Sequence, residues 1–182
     1  DLEGMKIRGG SRQVNALLEE AGAEPIGMPA PALPEALSKG VLDGVTLPWE
    51  VTNSVKVTEL VRHHTEFEGP ALYTLSFVMV MNKDRYDSLS PEMQDVIDRN
   101  SGLEFSVFAG PRQAAGDAPE REKTLEMGNE FVMVSGDDLA VWQETVEPVY
   151  AKWVADMEAR GIDGQALIDE ARALMAEYQA AQ

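Results

Sequence analysis

Cysteine is absent from this chain of 182 residues, and histidine occurs only twice. Disulfides and thiolate chemistry are thereby excluded, and a zinc site, which draws on Cys and His, has too few ligands. Basic residues are scarce as well: 15 Lys and Arg stand against 32 Asp and Glu, a formal net charge of −17. A surface that negative repels nucleic acid and anionic lipid head groups, so neither is an expected partner. An anionic ligand would need a local cation working against the global field, which gives weight to each Arg near a pocket. The roughly 18 consecutive apolar residues of a membrane helix are missing too. The longest apolar run, around Phe77–Met81, has only the length of a strand. No signal peptide is recognisable, and the chain opens at Asp1 without an initiator Met, as a processed chain or a fragment would. Arg8-Gly9-Gly10-Ser11 lacks the spacing of a dinucleotide-binding glycine motif, and no G-x-S-x-G nucleophile elbow occurs. No cofactor and no metal are expected.

What is present suits one domain or two small lobes, with 44% hydrophobic residues to fill a core. Met5–Arg8 reads as a short strand closed by Gly9-Gly10, and Ser11 stands where a helix N-cap belongs. Val14, Leu17, Leu18 and Ala21 recur at helical spacing up to Gly22. Pro25–Pro29 is a second strand, Leu33–Lys39 a helix capped by Gly40, and Val41–Leu47 a third strand. This βαβαβ order predicts parallel strands crossed by helices. One helix is predicted from Pro48 to about Arg62. The near-continuous apolar stretch Tyr73–Asn82 predicts a strand buried on both faces. Beyond it the texture is helical. Ser90-Pro91-Glu92 opens one helix, and a longer one spans Ser101–Met127 with interruptions at Gly110-Pro111 and Ala118-Pro119. A short strand follows at Glu130–Val134, then a helix from Ser135 through Trp142 and Trp153 toward Met157. A last helix covers Gln165–Tyr178.

Several strings in this order resemble one family. Asp1-Leu2-Glu3-Gly4-Met5-Lys6-Ile7-Arg8 resembles the segment that opens the second lobe of TRAP transporter (DctP-type) periplasmic solute-binding proteins. Gly40-Val41-Leu42-Asp43-Gly44, Pro48, the run Tyr73–Asn82 with Asp84–Leu89, and Ser90–Ile97 are similar to its later motifs. The resemblance runs through essentially the whole chain. It implies an α/β fold of the type II periplasmic-binding-protein kind: a βαβαβ lobe plus long helices, with the amino-terminal lobe largely missing. Residues 1–72 would form lobe two and 73–99 the hinge strand and return into lobe one. Residues 100–182 would brace both lobes. It further implies a periplasmic receptor that captures a small organic acid and hands it to TRAP transporter membrane subunits, without catalysing a reaction. Bare strand edges in a truncated chain would favour a homodimer.

The family's binding Arg maps onto Arg8. A planar guanidinium grips a carboxylate through two parallel charge-assisted hydrogen bonds, and the helix start at Ser11 would add backbone donors and a positive dipole end. Where the family often carries Asn, this chain has Leu47, followed by Pro48 and Trp49. That departure argues for a monocarboxylate with an aromatic or branched body lying against Leu47 and Trp49. Phe67 and Tyr73 are expected to border the cleft near the hinge.

Other readings of these residues stand beside that one. Arg8 is also a strand-end residue able to pair with a surface acid, Leu47 a strand-core residue, and Trp49 a core tryptophan. His63-His64 does not suit a metal, since adjacent side chains on a helix diverge by about 100°. A small α/β hydrolase or lyase using Asp43, Glu50 and His63 is one rival function, and an acidic protein-interaction module is another.

Overall fold

The computed structural model of the chain describes residues 2–69 and 71–180; Asp1, the first residue of the family-like opening segment, lies outside them. The first strand, β1 (Lys6–Gly9), leads through Ser11 into α1 (Arg12–Glu20), whose Val14 N–H is capped by the Ser11 hydroxyl at 3.2 Å. Gly22, at φ 86°, turns the chain into β2 (Glu24–Gly27). A single 3-10 turn at Ala30–Ala32 precedes α2 (Leu33–Ser38), and β3 (Gly44–Val45) completes the unit. All three strands are parallel in the order β2-β1-β3, with Ile7 opposite both Pro25 and Gly44. The predicted βαβαβ lobe is therefore present. Its third strand is shorter than the predicted Val41–Leu47, because the Val41 and Leu42 N–H groups bond back to the Ala36 carbonyl. They finish the turn after α2 before the ladder can begin.

Two apolar clusters hold this unit together. Ile7, Val14, Leu17, Leu18 and Ala23 form one, and Leu33, Ala36, Leu42 and Val57 the other. The order 2-1-3 means that the chain winds outward from β1 to β2, then crosses back to β3. In a parallel sheet the crevice at the carboxyl ends of the strands flanking such a switch is where ligands bind.

Between residues 48 and 67 the structure departs from the sequence reading. Instead of one helix there are two four-residue helices, α3 (Trp49–Thr52) and α4 (Val57–Leu60), separated by Lys56 in the left-handed region at φ 54°. Five β-branched residues in Val51–Thr58 weaken a continuous helix here. The two histidines then lie on a strand, β4 (His63–Phe67), not on a helix. Its polar sequence gave no strand signal. The strand exists because β5 (Glu130–Val134), at its predicted place, pairs with it in parallel from His63–Glu130 to Phe67–Val134.

Tyr73–Asn82 forms no strand. It carries no regular secondary structure, and Val78, Met79 and Val80 are more than 80% exposed. A central strand needs ladder partners on its edges and cover on both faces. The described residues supply neither. The remaining elements are α5 (Lys83–Asp87), α6 (Pro91–Arg99), α7 (Gly102–Ala114), α8 (Asp117–Glu126), α9 (Gly136–Glu158) and α10 (Gly164–Ala180). The predicted break at Gly110-Pro111 is instead accommodated inside α7, and the chain turns at Ala115-Gly116. A Cβ on Gly116 would come within 2.9 Å of the Glu50 Cβ, so only glycine lets α8 approach α3 this closely. Trp142, Val146 and Val149 of α9 pack on the first core cluster. No helix among the described residues is long and apolar enough to cross a membrane.

Candidate ligand-binding cleft

A cleft of about 570 Å³ opens where the sheet topology places it, at the carboxyl ends of β1 and β3 beside the start of α1. Arg8 and Ser11 line it together with Leu47, Pro48 and Val51 and the segment from Tyr73 to Phe77. The lining is chiefly apolar, and Arg8 is its one ionisable cation.

Arg8 is only 9% exposed. Its Nε donates to the Met28 carbonyl at 3.1 Å and its Nη1 to the Thr46 carbonyl at 3.2 Å. The guanidinium thus ties together the segments that follow β2 and β3, while part of its donor fork is left for another acceptor. None of the ion pairs among the described residues includes it. A buried cation without a counter-charge is costly, and an incoming carboxylate would relieve that cost. Gly10 keeps the space beside it open, since a Cβ there would lie 3.4 Å from Nη1 and 3.6 Å from Leu75. Burial pushes the Tyr73 phenol up, against the opposing pull of Thr46 and of the Arg8 charge. At neutral pH it is therefore a neutral hydroxyl near the cation.

Of the six residues singled out from sequence, Arg8, Ser11, Leu47 and Tyr73 line the cleft together, and Trp49 and Phe67 do not. The Trp49 ring stacks on Phe131, 5.5 Å between centroids, and tilts over His64 at 5.1 Å. Phe67 meets Trp142 edge to face at 5.3 Å. Both aromatics are taken up by β4, which gave no strand signal in the sequence, and by its neighbours β5 and α9. Gln13, Thr74, Leu75 and Phe77 line the cleft without having been foreseen. The run Tyr73–Asn82 reads from sequence as a hinge strand, and Tyr73 is its one residue expected at the cleft.

Asp43, Glu50 and His63 are not assembled for catalysis. Asp43 accepts the Lys6 N–H at 2.8 Å at the amino end of β1, Glu50 accepts from Gln113 at 3.0 Å, and His63 faces Glu130 at 3.5 Å. No group of three metal-ligating side chains occurs among the described residues.

His64 carries a pH dependence of its own. The Asn129 amide donates to the Thr58 carbonyl at 3.0 Å and lies 3.1 Å from His64 Nε2, so that nitrogen is an acceptor and the ring neutral. Burial holds the imidazole below 6.5, against the raising effect of Glu66 and with a small further lowering by His63. As pH falls through 6.5 the unfolded chain takes up the proton before the folded one does, so stability drops on the acid side. Urea midpoints at about pH 7.5 and about pH 5 should differ less in a His64→Gln variant than in the wild type. An unchanged pH slope would count against the assignment.

Known proteins resemble this chain in both sequence and fold. Residues 1–156 match the family described as bacterial extracellular solute-binding protein, family 7 (DctP). The chain is 46% identical, with a TM-score of 0.93, to a TRAP solute-binding protein from Rhodoferax ferrireducens crystallised with copurified benzoate; the match covers 99% of this chain and 56% of that one. A marine metagenome TRAP solute-binding protein specific for aromatic acid ligands, in complex with metahydroxyphenylacetate, is 42% identical with a TM-score of 0.91, over 97% and 56%. A TRAP periplasmic solute-binding protein from Bordetella bronchiseptica with bound (R)- and (S)-mandelate is 33% identical with a TM-score of 0.84, again over 97% and 56%. The chain spans about half the length of the curated relatives it matches, between 42% and 51%. On the family match and these three likenesses together, the chain belongs to the bacterial extracellular solute-binding proteins of family 7.

Proposed function

We propose that this chain carries the acid-anchoring half of a periplasmic receptor for a TRAP-type secondary transporter, and that its ligand is a small monocarboxylate with an aromatic or branched body. The observation that carries this reading is the Arg8 guanidinium: buried, without a carboxylate partner among the described residues, and set in a largely apolar cleft. One cation suits one carboxylate. Leu47, Pro48, Val51 and Leu75 offer an apolar bed for a ring, and the N–H groups at the start of α1 supply further donors. The three aromatic acids bound by the similar proteins have this chemistry in common. Residues 1–72 act as lobe two, 73–99 return toward lobe one, and 100–182 brace both; closure about the Tyr73 segment presents the loaded receptor to the membrane subunits.

Titration calorimetry of the intact protein against a panel of organic acids tests the assignment. Benzoate and mandelate should bind with micromolar or tighter affinity, and succinate and hexuronates at least about a hundredfold more weakly. Preference for a dicarboxylate or a sugar acid would overturn the ligand class, and binding of none would remove the receptor reading.

A further inference from the structure

Trp49 adjoins the cleft wall but turns its ring away from it. Pro48 and Val51, three residues apart at the start of α3, line the cleft. Trp49 packs instead on Phe131 and His64, and its indole N–H donates to Glu66 Oε1 at 3.1 Å. The same carboxylate is held by a two-pronged contact from Arg121, Nε to Oε1 and Nη2 to Oε2, both at 2.7 Å. Arg121 in turn lies over the Phe131 ring at 4.8 Å. The guanidinium holds the Glu66 carboxyl below its usual range, so the acid stays ionised and the fork stays closed. The next residue is fixed from the same side, with the Glu50 N–H donating to Asp117 Oδ1 at 3.0 Å.

A helix of four residues cannot hold itself in place, because nucleation costs more than one turn returns. The wall therefore stands where α8, β4 and β5 hold it. Isolated surface ion pairs such as Lys83–Asp87 contribute little. The Glu66–Arg121 pair differs, since it joins residues 55 apart, is bidentate, and ends on an indole one residue from the wall.

We propose that Trp49, Glu66 and Arg121 are positioning residues: a brace behind α3 that sets the place of the Leu47–Val51 wall, and so the affinity of the cleft for the body of its acid, with none of the three touching the ligand. This rests on the receptor reading for its consequence but not for its mechanics. Arg121→Lys removes the fork and keeps the charge, Glu66→Gln removes the charge and keeps an acceptor, and Trp49→Phe keeps the stack and removes the N–H.

The experiment uses the intact protein and two probes, benzoate and acetate. Acetate reaches Arg8 but has no ring to lie on the wall. Each variant is expected to bind benzoate about tenfold more weakly while acetate affinity stays within about twofold of the wild type. A merely structural role would lower both together, and that result, or an unchanged benzoate affinity, overturns the proposal. Amide exchange without ligand supplies the independent arm. The Glu50 and Val51 amides should exchange at least about fivefold faster in Arg121→Lys than in the wild type. Should the wild type bind neither acid, the receptor reading falls, and the exchange arm alone decides the brace. Unchanged exchange then refutes it.

Discussion

Replacing Arg8 with Ala should lower benzoate affinity by two to three orders of magnitude. Two charge-assisted hydrogen bonds to a carboxylate in a dry site contribute about 3–4 kcal/mol together, and each 1.4 kcal/mol is about tenfold in Kd. The same substitution removes the donors of the Met28 and Thr46 carbonyls, which join the segments after β2 and β3. A carbonyl left dry costs about 1–3 kcal/mol, and relief of the buried charge offsets part of that. The net loss of stability should be about 1–2 kcal/mol by urea unfolding, smaller than the loss of binding. Arg8→Lys separates the two roles. It keeps a positive charge but cannot serve both carbonyls and a carboxylate, so binding should still fall by about tenfold or more. Calorimetry at a temperature where both variants remain folded checks these values. Benzoate binding to folded Arg8→Ala with the wild-type Kd would remove the anchor.

The largest loss of stability should come from Leu33→Ala. Leu33 is 0% exposed at the start of α2, packed with Ala36, Leu42 and Val57 and flanked by Ile26, Met28, Val45 and Leu47. Deleting its side chain forfeits transfer energy and leaves a cavity that the sheet above cannot fill, a loss of about 3–4 kcal/mol. Leu33→Met, which conserves volume, should cost under about 1.5 kcal/mol. Leu174→Ala, at a position 58% exposed on α10, should change stability by less than about 0.5 kcal/mol. Urea unfolding of the three variants gives the ranking. A loss below about 1 kcal/mol for Leu33→Ala would mean that this cluster is not the core of the lobe.

A second consequence of the Leu33 cluster concerns the cleft. Leu47 and Met28 touch both the cluster and the Arg8 environment, Leu47 as cleft lining and Met28 through its carbonyl. Core packing and ligand geometry therefore share residues. Partial collapse around Leu33→Ala is expected to weaken benzoate binding along with stability.

Local signals were enough for the βαβαβ unit of residues 6–45. Ser11 as N-cap, Gly22 as the turn out of α1, and the spacing of Val14, Leu17 and Leu18 are short-range features written into consecutive residues. The same holds for Ser90-Pro91 opening α6, for β5 at Glu130–Val134 and for α9. Arg8 was legible as a cation at a strand end next to a glycine turn. Its isolation from acids was not, because that depends on where Met28, Thr46 and Tyr73 come to lie.

Composition and local pattern by themselves determined a βαβαβ unit with an acidic surface, one well-placed arginine and no means for thiol chemistry. Only the tertiary structure decided which neighbours each segment found. His63–Phe67 is polar and reads as no strand, yet it becomes β4 because β5 lies alongside with free backbone groups in register. Tyr73–Asn82 is the most strand-like run in the chain, yet it stays unpaired because the described residues provide no edge for it. Trp49 stacks on Phe131 and donates to Glu66 instead of lining the cleft for the same reason, once β4 and β5 lie behind it. A helix closes its hydrogen bonds within its own sequence, so sequence can specify it; a strand closes them on a distant partner, and only the folded chain shows whether that partner is there.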